Sequence, residues 1–349
     1  MLNLSPNGCS VSVTNSTELA FFPAAVALGK FDGLHRGHQR VIQPILKARE
    51  TGEAKDLLIS PASSNFPVSE GKHVYSTVVT FNPHPQEFFS GKPRALLTPL
   101  DEKVQQLRSL GVEQLVLLPF DRELCSLTPE EFVEKILVEQ LQATQVSVGY
   151  DFHFGSKRSG TAQDLQIIAA RYNIPVAIAP LETEDGDSSS SPETNPISTS
   201  FIREVLETGD VERAKQLLGR AYSLIGTVTK GQQLGRTIGF PTANLELPKD
   251  KFLPRLGVYA VRIYRVSDTS AQLEPLAFGV MNIGNRPTIN GINTIVEVHL
   301  FDWSDDLYGQ KLAVQLEKFI RPETKFPSLE ALKSQIQQDC ITAKVFFDT

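Results

Sequence analysis

Near residue 220 the chain changes its periodicity, and that change limits the possible folds more than any other feature. Before it, short apolar runs alternate with helical patterns. AAVAL (24–28), STVVTF (76–81), QLVLLPF (114–120), QVSVGY (145–150) and PVAIAP (175–180) read as buried strands. A helix is expected after residue 38, with Val41, Ile42, Ile45 and Leu46 on one face and a kink at Pro44. Thr98-Pro99 and Thr128-Pro129 look like helix N-caps followed by Pro at the first helical position, and Thr128 with Glu131 makes a capping box. Buried strands alternating with helices give an open parallel sheet covered on both faces, a Rossmann-like α/β domain. After about Ser223 the runs SLIGTVTKG, GVYAVRIYRV, LAFGVMNIG, TIVEVHLFD and KLAVQLEKFI are separated by Gly, Pro and Asn turns. They read as an antiparallel barrel or sandwich closed by one long helix from Ser328. Two domains are expected, 1–220 and 221–349. Two short helices, near 198–207 and 210–219, precede the boundary.

Composition narrows the function classes. The chain has 349 residues, 34 Lys and Arg against 40 Asp and Glu, and a net charge of −6. Such a balance does not suit non-specific nucleic-acid binding, which needs clustered cations. No apolar run approaches the ~18 residues of a membrane span. Cys9, Cys125 and Cys340 are widely spaced, with no CxxC, which fits a reducing, cytoplasmic setting. The first twenty residues are polar and read as a tail or a short added strand, not a secretory signal or an Arg-rich transit peptide. Residues 60–74 read as a long loop, and 183–196 (TEDGDSSSSPETNP) as a mobile acidic segment.

Gly29 to His38 spells GKFDGLHRGH between a buried strand and a helix. Ligands of open α/β sheets bind at the carboxyl ends of strands. A helix start offers free N–H groups and the positive end of its dipole to phosphate. Gly29, Gly33 and Gly37 allow close backbone approach. His35 and His38 can donate hydrogen bonds to a triphosphate and stabilise charge that develops in its transition state. Taken alone, two histidines near a helix start are usually surface or capping residues. There is no GxxxxGK[ST] and no GxGxxG.

Gly226 to Leu245 reads GTVTKGQQLGRTIGFPTANL, with Gly231, Gly235 and Gly239 at every fourth position. That is too glycine-rich for a stable strand and suits a loop whose N–H groups wrap phosphate. Thr242 and Asn244 supply two neutral oxygens of the kind Mg²⁺ accepts, on one face of a strand. In TIVEVHLFD, alternation puts Ile295, Glu297, His299 and Phe301 on one face and Val296, Val298 and Leu300 on the other. Glu297 is therefore either a base facing a pocket or a solvated residue on an exposed face.

These segments resemble known families. GKFDGLHRGH resembles the HxGH motif of nucleotidyltransferases. Together with TFNPHP (80–85), VGYDFHFGSKRSG (148–160) and ISTSFIR (197–203), it is similar to the FAD synthetase module of bacterial bifunctional riboflavin kinase/FAD synthetases. GRTIGFPTAN, GVYAV, GVMNIGNRPT, EVHLFD, DLYGQKL and KFIRPETKF resemble riboflavin kinase across nearly all of residues 222–347. The first resemblance implies that His35 and His38, with Gly29, Phe31, Asp32, Gly33 and Gly37, hold the phosphates of ATP. It implies that Ser198, Thr199, Ser200 and Arg203 form a second phosphate site, and that His84, Asp151 and Phe154 help place FMN. The second implies a six-stranded antiparallel β-barrel with a terminal helix, Thr242 and Asn244 at Mg²⁺–ATP, and Glu297 as the base. The glycine-rich turn (Gly231, Gly235, Arg236, Gly239, Pro241) would hold the nucleotide. The family usually reads ISSTRIR where this chain has ISTSFIR, so Phe201 stands in place of an Arg. Residue by residue, Ser198 to Arg203 also reads as a helix N-cap with a solvated Arg, His84 as a rigid turn, and Asp151 as a turn cap.

The expected function is ATP-dependent phosphorylation of riboflavin to FMN, then adenylylation of FMN to FAD. Riboflavin, FMN and ATP are the expected partners, with no nucleic acid and no membrane. A kinase with a silent first domain and a flavin-binding regulator without turnover are the alternatives.

Overall fold

The apolar runs of the first half are too short to bury themselves, so they need strand partners on their edges and apolar cover on both faces. The computed structural model describes residues 11–51, 73–184, 195–231, 234–267, 273–288 and 291–348, and all counts refer to these. The chain divides into two compact units, residues 1–94 with 103–197 and residues 95–102 with 198–349.

In the first unit the elements run β1 (Ser12–Thr14), β2 (Ala24–Leu28), α1 (Arg36–Thr51), β3 (Tyr75–Asn82), α2 (Pro85–Ser90), α3 (Leu100–Ser109), β4 (Gln114–Pro119), α4 (Arg122–Ser126), α5 (Pro129–Phe132), β5 (Ala143–Gly149), β6 (His153–Phe154), β7 (Gly160–Thr161), α6 (Ala162–Ala170) and β8 (Val176–Ala179). The first three residues of α3 belong to the second unit. The sheet order is β1-β4-β3-β2-β5-β8, with every pair parallel. Strand β2 alternates between two cores. Ala24, Val26 and Leu28 face one cluster, Ala25 and Ala27 the other, so the sheet is covered on both sides. Order reverses between β2 and β5, and a crevice opens at such a switch point, outside the carboxyl ends of the strands.

Helix α1 continues through Pro44 as one element. The helix after Thr128 widens to π-helical turns over Val133–Gln140, although the Thr128–Glu131 capping box forms as expected. Pro99 precedes the first helical residue, Leu100, rather than occupying it. Strand β1 is the short added strand, and residues 1–10 lie outside the described residues, as do most of 60–74 and 183–196.

The second unit contains α7 (Thr199–Thr208), α8 (Val211–Leu218), β9 (Tyr222–Thr229), α9 (Leu234–Thr237), β10 (Ala243–Glu246), β11 (Gly257–Arg265), β12 (Glu274–Thr288), β13 (Gly291–Leu300), β14 (Lys311–Pro322) and α10 (Leu329–Asp348). Its six strands close into an antiparallel barrel, β10-β13-β12-β11-β14-β9. Ser328 Oγ accepts from Ala331 N–H at the start of α10 (3.1 Å), as its position in the sequence suggests. This unit is larger than the expected 221–349 domain. The stretch 95–102 is stitched into it: Leu96 exchanges backbone bonds with Asp250 and Phe252, and Lys251 Nζ donates to Leu97 O (2.8 Å).

Candidate active sites

The loop after β2 is held in an unusual conformation. Phe31 (φ +47), Gly33 (φ +89) and Leu34 (φ +45) all have left-handed backbones. Each non-glycine residue costs about 1–2 kcal/mol there. Phe31 and Leu34 are fully buried in the core, and burial of each stabilises by about 1.5–3 kcal/mol, so packing outweighs the strain. Thr80 Oγ1 on β3 donates to Lys30 O (2.9 Å) and ties the loop to the sheet.

This loop delivers His35 and His38 as a stacked pair, ring centroids 3.7 Å apart and 25° from parallel. Gly37 makes room for the stack, since a Cβ there would lie 3.2 Å from the His35 ring. Gly29 likewise makes room for the Phe31 ring. Both glycines serve neighbouring rings, a packing reason in addition to the ligand approach expected of them. His35 Nδ1 accepts from His38 N–H (3.4 Å), so a neutral His35 carries its proton on Nε2. His38 Nδ1 is buried without a hydrogen-bond partner. Burial, then His35, Lys103 and Lys30, hold the His38 imidazole well below its ordinary range, so it is neutral at pH 7. Arg36, from the motif, and Arg40, two residues beyond it, both pair with Glu182, a buried carboxylate, and are committed to holding α1.

Around this pair gather cations that the sequence did not single out. Burial, Arg158 and Arg94 lower the Lys30 ammonium, with Asp151 opposing them. Burial lowers the Lys103 ammonium, with the buried Asp32 opposing it. His84 is lowered to about 4 by burial, Arg94 and Lys30. Lys30 and Arg158 lie inside quoted motifs, so a signal existed. Arg94 and Lys103 sit in ordinary stretches that gave none. His84 Nδ1 also caps α2, accepting from Gln86 N–H (3.1 Å). Phe154 is 5% exposed and packs on Phe132, which places it in the core.

Ser198, Thr199, Ser200 and Arg203 fall in the other compact unit. Ser198 Oγ caps α7 through Phe201 N–H (3.2 Å). Arg203 donates to Ala95 O (2.5 Å) and lies over the Phe252 ring. Phe201, where an Arg was expected, carries the Arg213 guanidinium on its ring.

The barrel unit holds a cavity of about 430 Å³. Strand β13 alternates as expected: Ile295, Glu297 and His299 line the cavity, while Val296, Val298 and Leu300 are buried in the barrel. Register puts Glu297 opposite Asn244 on β10 and Asn282 on β12, so three polar residues form a row across three strands. Thr242 and Gly235 also line the cavity. The glycines of the turn have separate reasons. A Cβ at Gly231 would overlap the Asn244 amide, one at Gly235 would overlap Phe240 O, and Gly239 has φ +89. Arg236 is exposed on the short helix α9. His299 Nδ1 donates to Pro241 O (2.8 Å) and so fixes the entry to the Thr242–Asn244 segment, a role the sequence did not reveal. On the far side, α10 contributes Leu332, Ile336 and Asp339 to the wall.

Comparison with known proteins agrees with this division. The FAD synthetase family model matches residues 20–193, and the riboflavin kinase model matches 218–347. The bifunctional riboflavin kinase/FMN adenylyltransferase of Haemophilus influenzae is 37% identical over 93% of this chain and 94% of its own. The protein of that description from Bacillus subtilis is 33% identical over 90% of each. A solved structure described as a macrolide-efflux protein from Streptococcus pneumoniae superposes with a TM-score of 0.73 at 29% identity, covering 95% of this chain and 97% of that one. With a parallel-sheet unit, a carboxylate-bearing cavity in a barrel, and relatives matched almost end to end, the chain belongs to the family of bifunctional riboflavin kinase/FMN adenylyltransferases.

Proposed function

We propose that the two activities of this enzyme, riboflavin kinase and FMN adenylyltransferase, reside at separate sites, with a functional boundary near residue 220. Riboflavin, FMN and ATP are the substrates of these families. The single observation that carries the reading is Glu297, which lines the barrel cavity with Asn282 and Thr242 and is paired in register with Asn244. Glu297 takes the proton from the ribityl 5′-hydroxyl as its oxygen attacks the γ-phosphorus of ATP. Thr242 Oγ1 and Asn244 Oδ1 would hold Mg²⁺, which would neutralise phosphate charge when bound. The fit rests on their chemistry. They are neutral oxygens two positions apart, a ligand set with too little charge to hold the cation by itself. That suits a cation ligated largely by phosphate and water.

In the sheet unit, His35 and His38 donate to the triphosphate while a phosphate oxygen of FMN attacks the α-phosphorus and pyrophosphate leaves. The neutral state of His38 leaves an uncharged ring to donate one hydrogen bond. The resemblance also assigns phosphate binding to Ser198, Thr199, Ser200 and Arg203, and placement of FMN to Asp151 and His84. Phe31 and Phe154 act by packing beneath them. We place the enzyme in the cytoplasm, without membrane or nucleic-acid partners, on the acidic balance of the chain.

The test is to incubate the protein with riboflavin, ATP and Mg²⁺ and separate the flavins over time, expecting FMN and then FAD. His38→Ala should abolish FAD and spare FMN. Glu297→Ala should stop phosphorylation yet still adenylylate supplied FMN. Loss of both reactions from either change in a folded protein would refute the two-site reading.

A further inference from the structure

Adenylyl transfer brings two anions to one phosphorus. A bond forms from the acceptor's phosphate oxygen to the α-phosphorus, and the bond from that phosphorus to pyrophosphate breaks. In-line displacement keeps the incoming and leaving groups on opposite sides, so two separate sets of donors are needed. The stacked histidines at the start of α1 make one set.

We infer that Lys30, Arg94 and Arg158 make the other, a subsite for the phosphate dianion of the acceptor flavin. This rests on the adenylyl-transfer reading above. Lys30 follows β2 and Arg158 lies beyond β5, and these neighbouring parallel strands flank the switch point. Arg94 lies beyond β3 and α2, which places three cations from three loops at one end of the sheet. Their charges face one another, since both guanidiniums act on Lys30, and Arg94 and Lys30 both act on His84. Asp151 is the carboxylate that opposes Lys30. Three cations converging from separate loops offer a dianion several charge-assisted hydrogen bonds at once.

Backbone strain at the hairpin supports the same assignment. Between β6 and β7, Lys157 (φ +54) and Arg158 (φ +59) are consecutive non-glycine residues in the left-handed region. The turn is closed around them. Ser156 N–H donates to Leu127 O (2.7 Å) and Arg158 N–H to Gly155 O (3.0 Å). Gly155 has no room for a side chain, since a Cβ would lie 2.9 Å from Pro129. Strain of this kind gathers at ligand clamps, and here it fixes where the Arg158 side chain starts.

The experiment uses the full chain supplied with FMN, ATP and Mg²⁺, with FAD formation measured against each substrate in turn. Arg158→Gln and Arg94→Gln should each raise KM for FMN about tenfold, the weight of one charged hydrogen bond, and leave KM for ATP within about twofold. Arg158→Lys should recover part of the loss, and riboflavin phosphorylation should be unchanged. An equal rise in KM for ATP would assign the cations to the triphosphate and overturn the inference. No change in either KM would also overturn it. His38→Ala in parallel separates the two levels: if it still forms FAD, the reading of the whole site fails, whatever the arginine variants do.

Discussion

At the scale of single residues, two histidines tie the adenylyl-transfer site to pH. His84 titrates near 4 in the folded chain and near 6.5 when unfolded, because burial and the charges of Arg94 and Lys30 disfavour its cation. Between those values the unfolded state binds more protons, so stability falls as pH drops through that window. His38 is depressed in the same direction and adds to the loss. Above the window both are neutral in both states and contribute nothing. His84→Asn keeps an acceptor for Gln86 N–H, so the cap survives while the titration goes. The difference in Tm between about pH 7 and about pH 5 should shrink in this variant, and an unchanged difference would count against the assignment. Gly231 gives a sharper test. Because any Cβ there overlaps the Asn244 amide, Gly231→Ala should lower riboflavin phosphorylation at least about tenfold and leave FAD formation from FMN intact. Equal loss of both would mean the change acts on folding instead.

At the scale of elements, alternation was the reliable signal. A period of two on β13 put Glu297 and His299 on the face opposite Val296, Val298 and Leu300, because only one face of a barrel strand can enter the core, but whether that face met a cavity or solvent it left open. What alternation lacks is register. Nothing in TIVEVHLFD says that Glu297 lies beside Asn244 and Asn282, since pairing is fixed by the whole barrel. The π-helical stretch after Phe132 was hidden for a similar reason: its apolar pattern satisfies an α-helix equally well. The hold of α10 on the barrel was also hidden. Arg321 on β14 makes a bidentate pair with Asp339 (2.8–3.1 Å), which is 2% exposed and also accepts from Gln335. Removing one partner of such a pair leaves a charge uncompensated. Asp339→Ala should destabilise the barrel unit by about 3 kcal/mol. The sole tryptophan, Trp303, lies in that unit, so its fluorescence during urea unfolding reports the loss directly. A midpoint unchanged from the parent chain would show that apolar packing alone holds α10.

At the scale of the whole molecule, the change of texture near residue 220 told correctly that two architectures are present, a parallel sheet and an antiparallel barrel. It could not tell that residues 95–102, deep in the first half, belong to the barrel's compact unit. The cause is a pair 149 positions apart, which no local pattern encodes. Lys251 Nζ and Glu102 Oε2 are 2.5 Å apart, with side chains 1% and 5% exposed. The other Glu102 oxygen accepts from Ile225 N–H (3.3 Å), and Lys251 also lies over the Tyr222 ring. Burial raises the Glu102 carboxyl even with Lys251 beside it, which shows how much water this carboxylate has given up. Such a pair contributes little net stability against a well-packed apolar substitute, yet losing one half is expensive. Glu102→Ala should therefore destabilise the barrel unit by about 3–5 kcal/mol, read through Trp303. Lys251→Met together with Glu102→Ala removes the stranded charge and should recover a large part of that loss. If the double variant is as unstable as the sum of the singles, the pair is not coupled, and the backbone bonds of Leu96 with Asp250 and Phe252 are what fasten the segment.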